Sequence, residues 1–209
     1  MAKKKAASKK SVEKANSSSS SKEAPLGRMC GTMQQHFYLL ETFPNFRANQ
    51  IQLEGACKVA QRTTRALRTK PFVVTVVVHV VHNPSVLREK ISAAQVKSQI
   101  DVLNRDFRAK NPDKSKVPTV FSGLVADSMI EFKLATKDPT GKATSGITYT
   151  TTNKTSFSDR NDPVKFTASG GAKAWNTKKY LNVWVATLEG GLLGHRCEPM
   201  TCRFYPCCQ

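Results

Sequence analysis

The chain has four histidines in 209 residues, and no HExxH, so the simplest arrangement for zinc hydrolysis is missing: two His one helical turn apart, with a carboxylate to activate water. It has no GxxxxGK[ST], GxGxxG or GxSxG, which leaves phosphate cradles, dinucleotide binding and a serine nucleophile elbow unsupported. No run of 18 apolar residues occurs, so no membrane partner is expected. The N-terminus MAKKKAASKK passes into Ser and charge where an apolar signal core would stand, which predicts a soluble chain without an export signal, cytoplasmic by default. Acid is scarce: 15 Asp and Glu face 33 Lys and Arg, for a net charge of +18. That potential attracts polyanions without selecting one, and no aromatic interleaving of the kind that stacks bases accompanies it.

The excess is partly local, since residues 1–25 hold seven Lys and two Glu. With the five-Ser run Ser17–Ser21, residues 1–26 offer too little apolar surface to offset chain entropy and read as a disordered basic tail. The body is basic as well, and its 39% hydrophobic content suits one packed domain.

From Pro44 to about Arg68, Gln, Arg, Leu and Ala predominate, with no further proline, which predicts a surface helix. The run from Phe72 to His82 is almost wholly β-branched and ends at Asn83-Pro84, as a buried central strand does. Ser92 and Gln95 form a capping-box pair, and Val96, Ile100, Leu103 and Phe107 fall on one helical face that stops before Asn111-Pro112. Met129–Ala135 alternates strictly, Asp138-Pro-Thr-Gly141 turns, and Ile147–Thr152 follows; these read as two neighbouring strands. After Gly170-Gly171, Tyr180–Leu188 supplies another strand. The order predicts an α/β layer, a mixed twisted sheet with one backing helix.

His79 and His82 lie three apart on a strand and therefore face opposite sides, as core and strand-edge residues rather than ligands. Cys30 has His36 nearby in sequence, but proximity does not make a catalytic pair and nothing supplies an orienting third residue. Four of the six cysteines, Cys197, Cys202, Cys207 and Cys208, crowd into the last thirteen residues without the paired CxxC spacing of a zinc ribbon. Cys30 and Cys57 are left as ordinary buried thiols or a loose pair. Asn153-Lys-Thr155 matches a glycosylation sequon, which carries little meaning without secretion.

Four ordered blocks, Phe72–Asn83, Gln99–Arg108, Ile130–Pro139 and Lys179–Val185, followed by Gly190, Gly191, Leu192, Leu193 and Gly194, resemble the pappalysin-like (cytophagalysin) family of metzincin zinc endopeptidases. The resemblance runs from about Arg28 to Gly194. It implies a helical pro-segment over 27–70 and the metzincin-like N-terminal catalytic subdomain over 71–194, with Gly190–Gly194 near a cleft wall where extended peptide substrate pairs. Arg28-Met-Cys-Gly-Thr32 is similar to the family's pro-segment motif, which implies that Cys30 is a latency switch capping zinc.

The departure from the family is equally plain. Relatives continue to HExxHxxGxxH, which supplies three zinc ligands and the general base, whereas here the likeness stops at Gly194 and residues 195–209 are an unrelated Cys-rich tail. A shifted reading frame produces such a switch, and a purposeful short product is the rival account. As written the chain is expected to lack catalytic and metal-binding residues and to need no cofactor, with zinc, and calcium in some members, belonging to relatives. Expected partners follow from the readings in turn: peptide substrate in the family, an intact homologous protease that this chain inhibits in trans through Cys30, or non-specific polyanions. Relatives are mostly exported, at odds with the missing signal. Without its lower half the sheet is expected to leave apolar surface exposed.

Overall fold

The computed structural model describes residues 29–62 and 69–195. The reading of a disordered tail over 1–26 and that of the cysteines after His195 lie outside the described residues. A two-residue strand β1 (Met29–Cys30) leads into helices α1 (Thr32–Thr42) and α2 (Pro44–Arg62). The body then runs β2 (Phe72–His82), α3 (Ala93–Phe107), β3 (Ile130–Leu134), β4 (Ile147–Thr151), β5 (Leu181–Val185) and β6 (Leu192–Gly194).

The Val-rich β2 is the axis of the sheet, and its registers correct one expectation. β3 and β4 are not side-by-side neighbours; each pairs with β2, at Phe72–Val76 and Val78–His82 respectively, so they follow one another along it, while β5 pairs with Val76–Val80. All these pairings are parallel, and the antiparallel contact near the Asp138 turn is a single bridge, Lys137 with Ala143. An 11-residue strand long enough for two short partners end to end is what the alternation within each partner alone does not reveal.

From Val76 to His82 β2 is buried on both faces, which explains why it lacks polar alternation there, while Phe72 and Val73 at its start are exposed, unlike the wholly buried strand expected. Val76, Val78 and Val80 pack with Val96, Ile100 and Leu103 of α3 and with Phe132 and Ile147. On the opposite face Val81 joins Phe157, Val164 and Ala172, with Trp184 and Leu188 partly buried beside them. The α3 capping box is formed in full: Gln95 N–H donates to Ser92 Oγ at 3.2 Å, and Ser92 N–H donates to Gln95 Oε1 at 3.0 Å. Phe107 closes the helix edge-to-face on Phe132, with ring centroids 4.9 Å apart.

Asn104 of α3 does for β3 what a further strand would do. Its Nδ2 donates to Phe132 O at 2.9 Å and its Oδ1 accepts from Phe132 N–H at 2.7 Å, so the outward peptide groups of that residue are satisfied. Asn104→Ala should lower stability by about 2 kcal/mol through two orphaned backbone groups. Chemical denaturation of the variant reads this directly, and a midpoint unchanged from the parent would contradict it.

α2 is described to Arg62, while the part of the predicted helix at 63–68 lies outside the described residues. α1 carries no clean apolar period: its buried residues are Gln35 and Leu39, while Met33 and Phe37 are exposed, so the pattern that announces an amphipathic helix is absent. Cys30 and Cys57 are also corrected, being neither buried nor paired: both are free and exposed. No described helix is long and apolar enough to cross a membrane.

Candidate functional site

The three residues of β6 follow a turn that only glycine enters without cost. Gly190 and Gly191 both have left-handed φ, of 66° and 71°, and the turn delivers Leu192–Gly194 in extended conformation. β1 lies against that strand in parallel register, Met29 opposite Leu192 and Cys30 opposite Gly194, with a bulge between them. Gly31 N–H then donates to Gly194 O at 2.9 Å. Two segments singled out in the sequence for separate reasons, Cys30 and the Gly190–Gly194 stretch, are therefore brought together, with 159 residues of chain between Cys30 and Gly190. Gly31 allows the close approach, since a Cβ there would stand 3.3 Å from a Leu192 methyl and 3.5 Å from His195 Cβ.

Cys30 itself is exposed, with Sγ 3.2 Å from Thr32 Oγ1. Hydrogen bonds from the Thr32 side chain and then from its backbone N–H hold the thiol below its ordinary pKa, against a small opposing effect of burial. The arrangement favours the thiolate, the form that acts as a nucleophile or metal ligand.

Beneath β6 lies a charged cluster that sequence reading missed. Asp162 is fully buried; its Oδ2 accepts from Lys165 Nζ at 2.8 Å and its Oδ1 stands 2.7 Å from His195 Nε2. Lys165 Nζ also lies over the Trp184 ring, 5.4 Å from its centroid. His195, assigned by sequence to the unrelated tail, is packed into the body, its side chain 8% exposed. Next to Asp162, Asn161 Oδ1 accepts from Tyr38 OH of α1 at 2.7 Å. Asn161-Asp162-Pro163 does read as a turn, Asn and Asp tolerating left-handed φ, but nothing in the sequence names the distant partners.

The remaining histidines occupy structural positions. His79 is 1% exposed, its Nδ1 2.7 Å from Thr148 Oγ1 and its Nε2 3.0 Å from Asn182 Oδ1, beside Trp175 and Trp184. His82 is buried on the opposite face of β2, and the His36 ring stands edge-on to Phe46. Among the described residues no three His, Cys, Asp or Glu come together as a metal site. The donor set in hand therefore does not fit a tetrahedral zinc centre.

A cavity of about 910 Å³ runs along β5 and the start of β2, lined by Phe72, Val74, Leu181, Trp184, Leu193 and His195 among others. Leu193 is 67% exposed, and Phe72, Val73, Leu181 and Val183 are exposed too, so the sheet presents the open apolar surface expected of it.

The fold as a whole matches solved structures. The chain is similar to mirolysin. Mirolysin in complex with a compound aligns at 46% identity and a TM-score of 0.63, over 68% of this chain and 52% of its own. Mature mirolysin of Tannerella forsythia with a cleaved peptide gives 45% identity and 0.64 over the same shares. Promirolysin from Tannerella forsythia, a mutant form, gives 38% identity and 0.73, over 87% of this chain and 58% of its own. The chain thus spans a little over half the length of these metallopeptidases. The fold is metzincin-like, α/β with a sheet of parallel strands. No family profile matches the chain. No curated protein matches it either.

Proposed function

We propose that residues 29–195 form the latent N-terminal part of a mirolysin-like zinc metalloendopeptidase. In this reading 29–70 is a pro-segment and 71–194 the upper catalytic subdomain, with β6 the wall on which peptide substrate pairs. The parallel pairing of β1 with β6 carries the proposal, because an edge strand already bonded to Met29–Gly31 offers those peptide groups to no other strand. Coverage supports it: the alignment with promirolysin takes in 87% of the chain and that with mature mirolysin 68%, a difference about the size of the segment 29–70. The cleaved peptide seen with mature mirolysin supports peptide as the ligand of such a wall.

What this chain's own residues do is bind and block. β1 fills the edge, Gly31 sits closely against Leu192, and hydrogen bonds from Thr32 lower the pKa of the Cys30 thiol at the end of the blocking strand. Zinc, in relatives that hold it, polarises the scissile carbonyl and activates water. A thiolate is a strong zinc ligand, which is the chemistry of a latency switch.

A second reading is favoured by the exposure of Cys30: the same segment acts in trans, inhibiting an intact homologous protease. Titrating mature mirolysin with the full chain and with Cys30→Ala tests the switch. Inhibition by the parent, weakened at least about tenfold in the variant through loss of a charged ligand, is the expected result. Equal potency of the two proteins, or none from either, sinks the role of Cys30.

A further inference from the structure

The pro-segment touches the body at more than its strand, and these further contacts converge. Tyr38 of α1 donates to Asn161. The apolar cluster of α1 and α2, centred on Leu39 and Phe46, takes in Phe166 from the body. Asn161 and Phe166 bracket Asp162, which holds Lys165 on one oxygen and His195 on the other, and His195 directly follows β6. Asn161 and Asp162 have consecutive left-handed φ, of 57° and 45°. Residues of that conformation in series are uncommon away from glycine, and they turn the two neighbouring side chains to different partners, Asn161 to the helix and Asp162 into the interior.

We infer that the Asn161–Phe166 turn is a clasp joining the two parts of the pro-segment's seat: it docks helix α1 through Asn161 and Phe166 and anchors the occupied edge strand through Asp162 and His195. Released helix and released strand are then one event rather than two, because the same short turn supports both. The clasp is also built to let go. Gln35, one helical turn before Tyr38 on the same face of α1, is 1% exposed, and neither its Nε2 nor its Oε1 has a hydrogen-bond partner; His195 Nδ1 is likewise buried and unpartnered. Polar atoms sealed away in this manner favour the undocked state, in which water satisfies them.

This inference rests on the pro-segment reading for its meaning but not for its test. Amide hydrogen exchange on the full chain reads three places separately: Gly31 N–H for the β1–β6 pairing, Phe43 N–H for α1, and Val78 N–H, bonded to Gly146 O, for the central sheet. Asp162→Asn keeps shape and tolerates left-handed φ while removing the charge. It is expected to speed exchange at Gly31 and at Phe43 together, by about tenfold or more, with Val78 unchanged. Tyr38→Phe, which leaves the Asp162 cluster alone, is expected to speed the same two amides in step, and Gln35→Leu to slow them. Gly31 responding without Phe43, neither responding, or Val78 moving in parallel with them overturns the clasp. If mature mirolysin is not inhibited yet the coupled exchange is found, the role of Cys30 fails and the clasp stands.

Discussion

Gly171→Ala is expected to lower the melting temperature by about 10 °C, the largest effect of any single methyl group added to this chain. A Cβ at Gly171 would stand 2.1 Å from Val164 O and 2.4 Å from Val164 C, distances at which backbone has to move. That backbone is held from several directions. Ala172 N–H donates to Val164 O at 2.9 Å, Gly171 N–H to Phe166 O at 2.9 Å, and Trp184 Nε1 to Ala172 O at 2.8 Å. Parting the two segments breaks this set and opens the cluster of Val81, Phe157, Val164 and Ala172, for a loss of about 3 kcal/mol. In a chain of this size each kcal/mol is worth about 2–4 °C. Gly55→Ala is the control: nothing lies within 4 Å of its would-be Cβ, it sits within α2, and helix propensity predicts a small gain of under about 1 kcal/mol. Thermal unfolding of both variants decides the matter, and a Gly171→Ala protein melting within about 2 °C of the parent would show the packing to be softer than these distances imply.

The second large effect centres on His79 and is visible in pH as well as in temperature. Burial between β4, β5 and the two Trp rings pushes its pKa below the ordinary 6.5, against a smaller opposing effect of the hydrogen bond it donates to Asn182 Oδ1. Asn182 Oδ1 also accepts from Trp175 N–H at 2.7 Å, so it is an acceptor; His79 Nε2 is therefore the donor, and Nδ1 receives the Thr148 hydroxyl. The ring is neutral when folded and protonates readily when unfolded. Below about pH 6.5 the unfolded state binds the extra proton, so the stability this residue contributes is full above that pH and is lost as pH falls toward the depressed folded value. His79→Gln should flatten this acid slope, and its denaturation midpoint should change less between pH 7 and pH 5.5 than the parent's. His79→Ala should cost about 3 kcal/mol at neutral pH, through a cavity and two unpaired polar partners. Identical acid slopes for parent and His79→Gln would assign the pH dependence elsewhere.

Both sites bear on the proposed latency. Gly171 braces the segment that carries Asp162 and Phe166, and His79 ties the central strand to β5, which leads through the Gly190-Gly191 turn to the edge strand. A variant at either place therefore tests whether pro-segment docking depends on the body beneath it.

The regularities of β2 and α3 are legible in the sequence because each is dictated by neighbours close along the chain. An unbroken β-branched run has to be buried on both faces, and Ser92 with Gln95 satisfies helix-end amides within four residues. The opposite facing of His79 and His82 follows from the two-residue period of a strand in the same manner. The readings that failed depended on what a residue meets at long range. Alternation in Ile130–Leu134 and Ile147–Thr151 marks two strands but does not say whether they pair with one another or share the length of a third. A helix whose buried positions are Gln35 and Leu39 shows no clean apolar period, because its seat mixes an apolar cluster with Phe46 and Phe166 and a hydrogen bond from Tyr38 to Asn161. What the sequence by itself determined is the elements α2, β2, α3, β3, β4 and β5, the basic charge and the absence of a metal-binding helix motif, all properties of local spacing and composition. What only the tertiary structure decided is that Cys30 lies on the Gly190–Gly194 strand and that Asp162, Lys165 and His195 meet beneath it. Contacts between residues so far apart along the chain leave no periodicity to read, since they exist only once loop closure has been overcome by the burial of the whole sheet.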